Sequence, residues 1–172
     1  MEHSWRRRSA RVRRMEAVLF IGVQGSGKTT FYKERFFDTH VRLSRDMLKT
    51  RTRQLALVSA CLAARQPFVV DDTNAAKSRR AESIGPARAA GFRVSGYYFR
   101  CALREALGRN RRRPEGQVVP VPGVIATFKR LEPPAWSEGF DEISIVEVDP
   151  ENRFVVRKWT REEGDPPRLE RE

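Results

Sequence analysis

The sequence has few histidines and cysteines for its length. Its 172 residues include only two of each, namely His3, His40, Cys61 and Cys101. Histidine-based catalysis and clustered metal ligands are therefore disfavoured. Because the two cysteines stand far apart in apolar surroundings and form no CxxC pair, we expect buried thiols in a reducing compartment rather than a disulfide.

Long hydrophobic runs are also missing, since no stretch approaches the roughly 18 apolar residues that a membrane helix needs. The arginine-rich start superficially resembles a twin-arginine export signal. The apolar stretch that follows it, residues 18–21, leads straight into a glycine-rich loop, which is typical of a core strand and not of a cleavable signal. We therefore expect a cytoplasmic protein without a membrane partner. Residues 1–14 are expected to form a disordered basic arm or to lie upstream of a start at Met15.

Acidic residues are in the minority, with 22 Asp and Glu against 34 Lys and Arg and a formal net charge of +12. Such a field favours phosphate-rich partners, although an arginine-rich proteome explains the excess equally well. The length fits one domain, which we place at residues 15–160. The charged, proline-bearing tail at residues 161–172 is expected to be disordered.

Short apolar runs alternate with segments of helical length throughout this domain. Strands are predicted at 17–21, 41–43, 68–70, 93–99 and 143–148, with an antiparallel edge strand possible at 153–159. Helices are predicted from the glycine-rich turn to residue 37 and at 46–64, 77–90, 102–113 and 123–131. This alternation indicates an α/β fold, a five-stranded parallel sheet with helices on both faces and ligands at the carboxyl ends of its strands.

A complete phosphate-loop motif follows the first strand. Residues 22–29, GVQGSGKT, match GxxxxGK[ST] between an apolar strand and a helix, the context in which the motif is most specific. The glycines let backbone N–H groups point at phosphate oxygens, the lysine reaches the β- and γ-phosphates, and the threonine hydroxyl ligates Mg²⁺. We therefore predict binding of ATP, or another nucleoside triphosphate, and Mg²⁺ by Gly22, Gly25, Ser26, Gly27, Lys28, Thr29 and Thr30.

Acidic residues follow two of the predicted strands. The third strand ends in Asp71-Asp72, and we expect Asp72, ahead of Asp71, to support the Mg²⁺ shell with Thr29. Asp46 follows the second strand, where it can accept a proton from an attacking hydroxyl. Capping of the following helix explains Asp46 equally well.

The predicted lid helix at 102–113 is strongly basic. Arg109 and Arg113 are four residues apart and share a helix face, so both can neutralise charge on the transferred phosphate. Arg111 and Arg112 are expected to form a solvated face.

Taken together in order, these residues resemble the kinase domain of polynucleotide kinase, the enzyme that phosphorylates 5′-hydroxyl ends. The resemblance covers residues 17–148. It is carried by GxxGSGKTTF at 22–31, SRD at 44–46, DDTN at 71–74, the arginine pair at 79–80, RNxxR at 109–113, VP at 119–120 and EGF at 138–140. It implies an adenylate-kinase-like P-loop fold with a mobile lid.

The resemblance also implies roles for individual residues. Asp46 becomes the general base, and Arg109 and Arg113 become lid residues on the donor phosphates, with Lys28 acting on the same phosphates. The acceptor nucleotide is assigned to Arg45, Lys49 and Arg79. Lys49 stands where the family commonly has arginine, which keeps the charge but loses bidentate geometry.

Two other functions remain open from the sequence. A small-molecule kinase for a sugar, nucleoside or antibiotic would share the loop, lid and base. An ATP-binding regulatory protein without transfer activity would have little use for Asp46. If the polynucleotide function holds, the substrate is the 5′-hydroxyl end of DNA or RNA. We expect no fused phosphatase or ligase in a chain of this length, so a phosphatase or ligase would be a separate partner. Trp136 and Trp159 are expected to pack in the core.

Overall fold

A six-stranded sheet forms the centre of the protein, which a computed structural model describes from residue 15 to residue 169. The predicted arm, residues 1–14, lies outside the described residues. The strands lie in the order β2-β3-β1-β4-β5-β6. They comprise β1 (Glu16–Ile21), β2 (Val41–Ser44), β3 (Phe68–Asp71), β4 (Arg93–Phe99), β5 (Glu142–Val148) and β6 (Phe154–Trp159). The first five strands pair in parallel with one another, which confirms the predicted α/β P-loop fold.

The sheet has six strands and not five, because β6 adds an antiparallel edge to β5. The tight turn at Asp149–Asn152 reverses the chain, since Asp149 accepts from the backbone N–H of Arg153 and Asn152 adopts a positive φ of 60°. The optional edge strand at 153–159 is therefore present, and it brings Phe154 over the start of the first helix.

Six α-helices connect the strands in the described range. They are α1 (Lys28–Arg35), α2 (Arg45–Leu48), α3 (Arg51–Ala63), α4 (Lys77–Ala89), α5 (Leu103–Arg111) and α6 (Val121–Arg130). One long helix at 46–64 was expected, but the chain breaks at Lys49, whose φ is 66°. Thr50 then caps α3 by accepting from the N–H of Arg53. Gly91 ends α4 in the left-handed conformation, as predicted.

The sheet separates two apolar clusters. On one face, β-strand residues such as Leu19, Val70 and Tyr98 pack with Val58 of α3 and Ile84 of α4. The other face is rich in aromatic rings that meet edge to face around α1, and its members include Phe20, Phe31, Phe36, Tyr97, Phe99 and Phe154. Helices thus cover both faces, as the alternating pattern predicts.

The predicted disorder after Thr160 is wrong for residues 161–169. Arg161–Glu163 forms a short 3₁₀ helix, and the Gly164 carbonyl accepts from the indole N–H groups of Trp136 and Trp159 at 2.9 Å each. Both tryptophans are half-buried against the core, in agreement with the packing role expected for them. They also anchor the tail, which composition alone does not reveal.

Candidate functional site

The phosphate loop joins β1 to α1 at the carboxyl edge of the sheet. Gly25 and Gly27 adopt φ values of 80° and 97°, which residues with a side chain rarely reach. These turns lead into the start of α1, where the first backbone N–H groups of the helix and its dipole favour an anion. The loop therefore has the backbone conformation expected of the predicted phosphate cradle.

Lys28 is buried at the start of α1. Its ammonium group donates to the carbonyl of Gly22 at 2.9 Å and to the hydroxyl of Ser26 at 3.3 Å. Burial lowers the pKa of this ammonium group, while the nearby carboxylate of Asp71 opposes the shift. Lys28 thus lies inside the loop, next to the groups that would contact β- and γ-phosphates.

Two carboxylates lie beside this loop, and they make different contacts. Asp71 is buried, with its Oδ2 3.4 Å from the hydroxyl of Thr29. Asp72, the residue preferred from the sequence, accepts from the N–H of Thr73 at 2.7 Å and pairs with Arg45 at 3.3 Å. Both aspartates line the cavity above the loop. Hydroxyl and carboxylate oxygens are the donors that Mg²⁺ prefers, so this set fits a magnesium ion, and Asp71 is the carboxylate closer to Thr29.

Arg42 is a site residue that sequence reasoning missed. It lies on β2, and its guanidinium binds Asp71 Oδ2 through Nε at 2.7 Å and Nη2 at 2.6 Å. Nη2 also donates to the hydroxyl of Thr29 at 3.0 Å. The only signal for it in the sequence is an arginine within an otherwise apolar strand, and its partners become visible only when β2 and β3 pair.

Helix α5 covers the loop closely. A Cβ atom added to Gly25 would lie 2.3 Å from the carbonyl oxygen of Ala106, so glycine is required for this contact as well as for its φ. Asn110, in the same helix, is buried and exchanges two hydrogen bonds with the backbone of Val119, at 2.7 and 3.1 Å. Asn110 therefore fastens the segment that follows α5, a role that the RNxxR pattern does not specify.

The catalytic residues proposed from the sequence meet in one cavity of about 380 Å³. Arg113 is half-buried, and its guanidinium lies 3.5 Å from the exposed carboxylate of Asp46. Arg109 pairs with Glu105 at 3.6 Å, and its Nη1 is a buried atom without a hydrogen-bond partner in the described residues. Lining residues include Gln24, Gly25, Gly27, Lys28, Thr29, Thr30, Arg45, Asp46, Asp72, Arg109, Arg112 and Arg113.

A second cavity of about 250 Å³ adjoins the first and shares Arg45, Asp72 and Thr73 with it. It lies between α3 and α4 and is lined by three further arginines, Arg51, Arg79 and Arg130. Two of the three predicted acceptor residues, Arg45 and Arg79, are therefore close to this space. Lys49 lines neither of the two cavities, because the break between α2 and α3 falls at its position.

Comparison with functionally curated proteins yields no match. Solved structures share the fold. The AvrRxo1-ORF1:AvrRxo1-ORF2 complex, solved with sulphate ions, is 13% identical with a TM-score of 0.62, and the match covers 83% of this chain and 57% of that one. The same complex has been solved with ATP.

Two further solved structures align at similar quality. Kti12 of Chaetomium thermophilum, in complex with ADP-AlF3, is 16% identical with a TM-score of 0.59 over 79% of this chain and 92% of that one. The PezAT toxin–antitoxin system of Streptococcus pneumoniae gives 14% identity and a TM-score of 0.57, over 83% and 70% of the respective chains. At these identities the likeness concerns the fold.

The AAA domain family matches residues 18–132 of the sequence. This range is more than half of the chain, and it starts in β1 and extends through the phosphate loop, the paired aspartates and the lid helix. A P-loop, kinase-like nucleotide-binding domain is therefore established by both the fold and the sequence. The chain belongs to the AAA domain family.

Proposed function

We propose that this protein transfers the γ-phosphate of ATP to the 5′-hydroxyl end of a nucleic acid. The observation that carries the proposal is one cavity lined by the phosphate loop, Asp46 and two lid arginines, which shares lining residues with a second, arginine-lined cavity. The first part of this arrangement fits a donor triphosphate, and the second fits an acceptor that itself carries phosphate.

The donor half rests on the loop and the residues beside it. Backbone N–H groups and Lys28 would hold the β- and γ-phosphates, and Thr29 with Asp71 or Asp72 would hold Mg²⁺. When bound with the nucleotide, Mg²⁺ would neutralise charge on these phosphates. The ATP and ADP-AlF3 complexes of the structural neighbours support nucleotide binding by this fold.

The transfer itself needs a base and neutralisation of charge. Asp46 would accept the proton of the 5′-hydroxyl group while the hydroxyl oxygen attacks the γ-phosphorus and ADP departs. Its exposed carboxylate, open to the cavity, suits an incoming hydroxyl. Arg109 and Arg113 would neutralise the charge that develops on the transferred group.

The acceptor half rests on the second cavity. Arg51 is neutralised by an ion pair with Glu82, whereas Arg79 is exposed at the rim of the cavity. A nucleic acid end presents a phosphodiester one nucleotide from its 5′-hydroxyl, and arginine guanidinium groups bind phosphate oxygens with matched geometry. The resemblance to polynucleotide kinase and the +12 net charge of the sequence point to the same acceptor.

A small-molecule kinase is the second candidate. The modest volume of the second cavity, about 250 Å³, favours it, because a small substrate would fit entirely within this space, whereas only the terminal nucleotide of a polynucleotide would. The family and the neighbours agree with either acceptor.

The experiment is a transfer assay with γ-labelled ATP and Mg²⁺. Its acceptors are 5′-hydroxyl DNA, 5′-hydroxyl RNA, the same oligonucleotides with a 5′-phosphate, free nucleosides and sugars. Label on the 5′-hydroxyl oligonucleotides alone is expected. Label restricted to small molecules would replace the first candidate by the second. ATP binding without transfer to any acceptor would contradict both and leave a regulatory ATP-binding protein.

A further inference from the structure

Arg42 occupies an unusual place for a charged residue. It lies on β2, where its backbone is in register with Val69 of β3, and its side chain is only 20% exposed. Its Cζ lies 5.7 Å from the centre of the Tyr32 ring, an arrangement that holds the guanidinium plane in place. The side chain is thus fixed at the carboxyl edge of the sheet, beside the start of α1.

The contacts of Arg42 fall on the two oxygens that a magnesium ion would need. Its Nη2 atom lies 2.6 Å from Asp71 Oδ2 and 3.0 Å from Thr29 Oγ1, and its Nε atom lies 2.7 Å from Asp71 Oδ2. The Thr29 hydroxyl also lies 3.4 Å from Asp71 as a donor. A hydroxyl has one proton and two acceptor lone pairs, and the N–H of Arg42 occupies one of the two lone pairs through which the oxygen would bind a metal.

The electrostatics point in the same direction. The carboxylate of Asp71 is only 4% exposed, and a buried carboxylate needs a cation or several donors nearby. Among the described residues, Arg42 supplies that positive charge directly. A divalent cation bound to the same oxygens would lie close to the guanidinium, and two positive charges at that distance repel each other in a partly buried site.

We infer that Arg42 is a positioning residue that sets the metal affinity of the phosphate site by holding Thr29 and Asp71 in competition with the divalent cation. Binding of the cation breaks the hydrogen bond from Arg42 to Thr29, and the guanidinium gives up or shares Asp71. The inference rests on the nucleotide half of the proposed function and is independent of the acceptor.

A simple supporting role makes the opposite prediction. If Arg42 only held Asp71 in the right place for the metal, its removal would weaken metal binding. If Arg42 competes with the metal, its removal strengthens metal binding, because the repulsion disappears and Asp71 loses the guanidinium that pairs with it. The sign of the change therefore separates the two roles.

The test measures Mn²⁺ binding by electron paramagnetic resonance in the presence of saturating ADP, so that no transfer activity is needed. Arg42→Gln is compared with the wild type, and Arg35→Gln, on α1, serves as a control that removes one positive charge elsewhere near the same helix. We expect Arg42→Gln to bind Mn²⁺ roughly tenfold more tightly or better, since a hydrogen bond to a charged group contributes about that factor or more. Arg35→Gln should bind like the wild type.

Arg42→Lys guards against misfolding of the first variant. Lysine keeps the positive charge but presents one nitrogen, which cannot bridge Thr29 and Asp71 as the guanidinium does. Its Mn²⁺ affinity should fall between the wild type and Arg42→Gln. Equal or weaker Mn²⁺ binding in both variants would overturn the inference and leave the proposed function intact. A wild type that binds no Mn²⁺ with ADP would overturn the nucleotide site itself, and the inference with it.

Discussion

The carboxylate of Asp46 lies 3.5 Å from the guanidinium of Arg113, so a residue from the carboxyl edge of β2 meets one that follows the lid helix α5. These residues are far apart in the sequence, and both line the cavity above the phosphate loop. The contact also joins a candidate base to a candidate transition-state cation. A substrate hydroxyl that reaches Asp46 therefore also comes close to the lid.

Replacing Asp46 by asparagine tests the base directly. Asn keeps the size and the hydrogen-bonding oxygen but has no useful basicity, so the rate of phosphate transfer should fall by about 10²–10⁴-fold. ATP affinity should change little, because the exposed carboxylate of Asp46 pairs with Arg113 and makes no contact with the phosphate loop in the described residues. Single-turnover transfer and ATP binding are measured in parallel, with the exposed Asp38→Asn as a control that removes a carboxylate elsewhere. Full transfer activity in Asp46→Asn would leave Asp46 as an acidic residue in the first turn of α2, where its charge complements the helix dipole.

Replacing Gly25 by alanine tests the contact between the loop and α5. The new Cβ would lie 2.3 Å from the Ala106 carbonyl, and the φ of 80° would strain any L-residue. We expect weaker ATP binding and a lower melting temperature. Gly85→Ala is the matched control, because Gly85 lies inside α4 with nothing within 4 Å of the added carbon. That variant should gain roughly 0.5–1 kcal/mol of stability. Normal ATP binding in Gly25→Ala would mean that α5 moves away from the loop without cost.

The parts of the fold that sequence predicts are those fixed by local pattern. The apolar run at β3 and the glycine at the end of α4 identify a buried strand and a helix stop without reference to the rest of the chain. The break between α2 and α3 at Lys49 is not predicted by such a local pattern. A lysine with a φ of 66° is costly by itself, and the helical spacing of apolar residues continues through the position.

Some residues of the candidate site can likewise be predicted from a local motif, whereas others join the site only through contacts between distant segments. The phosphate loop is a contiguous motif, so its residues and their role follow from the sequence. Arg42 belongs to the site through pairing of β2 with β3, and Asn110 through its bonds to Val119, and neither contact is encoded by local spacing. The tail shows the same limit, because two indole N–H groups from distant elements anchor a charged segment by one carbonyl, that of Gly164.

A buried ion pair outside the cavity should govern stability. Arg80 is fully buried and forms two hydrogen bonds with Glu138, at 2.6 and 2.8 Å, and others with the carbonyls of Asn74, Glu132 and Pro133. Glu138→Gln removes the charge that balances Arg80, so we expect a loss of about 3–5 kcal/mol of unfolding free energy. Chemical denaturation measures this, and Glu151→Gln, at an exposed carboxylate in the β5–β6 turn, is the control. A loss in Glu138→Gln no larger than in the control would show that the carbonyls alone satisfy Arg80.

The pairing of Glu16 predicts a dependence of stability on pH. Burial raises the pKa of Glu16, but the contacts with His40, Ser95 and Arg93 together outweigh this effect. The pKa of Glu16 therefore lies below its ordinary value of 4.5. A lowered pKa in the folded state contributes stability that is present above about pH 4.5 and is lost as the pH falls through the folded pKa. The difference in melting temperature between wild type and Glu16→Gln should therefore narrow as the pH falls below about 4.5. A difference that does not vary with pH would mean that Glu16 acts through packing and not through its charge.

Binding of the acceptor in the second cavity can be tested through Arg79, which has no other role in the proposed mechanism. Arg79 is exposed at the rim of the second cavity and lies away from the phosphate loop. If it binds a backbone phosphate of the acceptor, Arg79→Ala should raise the KM for 5′-hydroxyl oligonucleotides and lower the slope of log affinity against log salt by about one, because one phosphate contact is lost. The kcat and the KM for ATP should stay near the wild-type values. Arg35→Ala removes the same charge from α1, on the other face of the sheet, and should leave the salt slope unchanged. An equal loss of slope in both variants would assign the effect of Arg79 to net charge and would contradict a phosphate contact in this cavity.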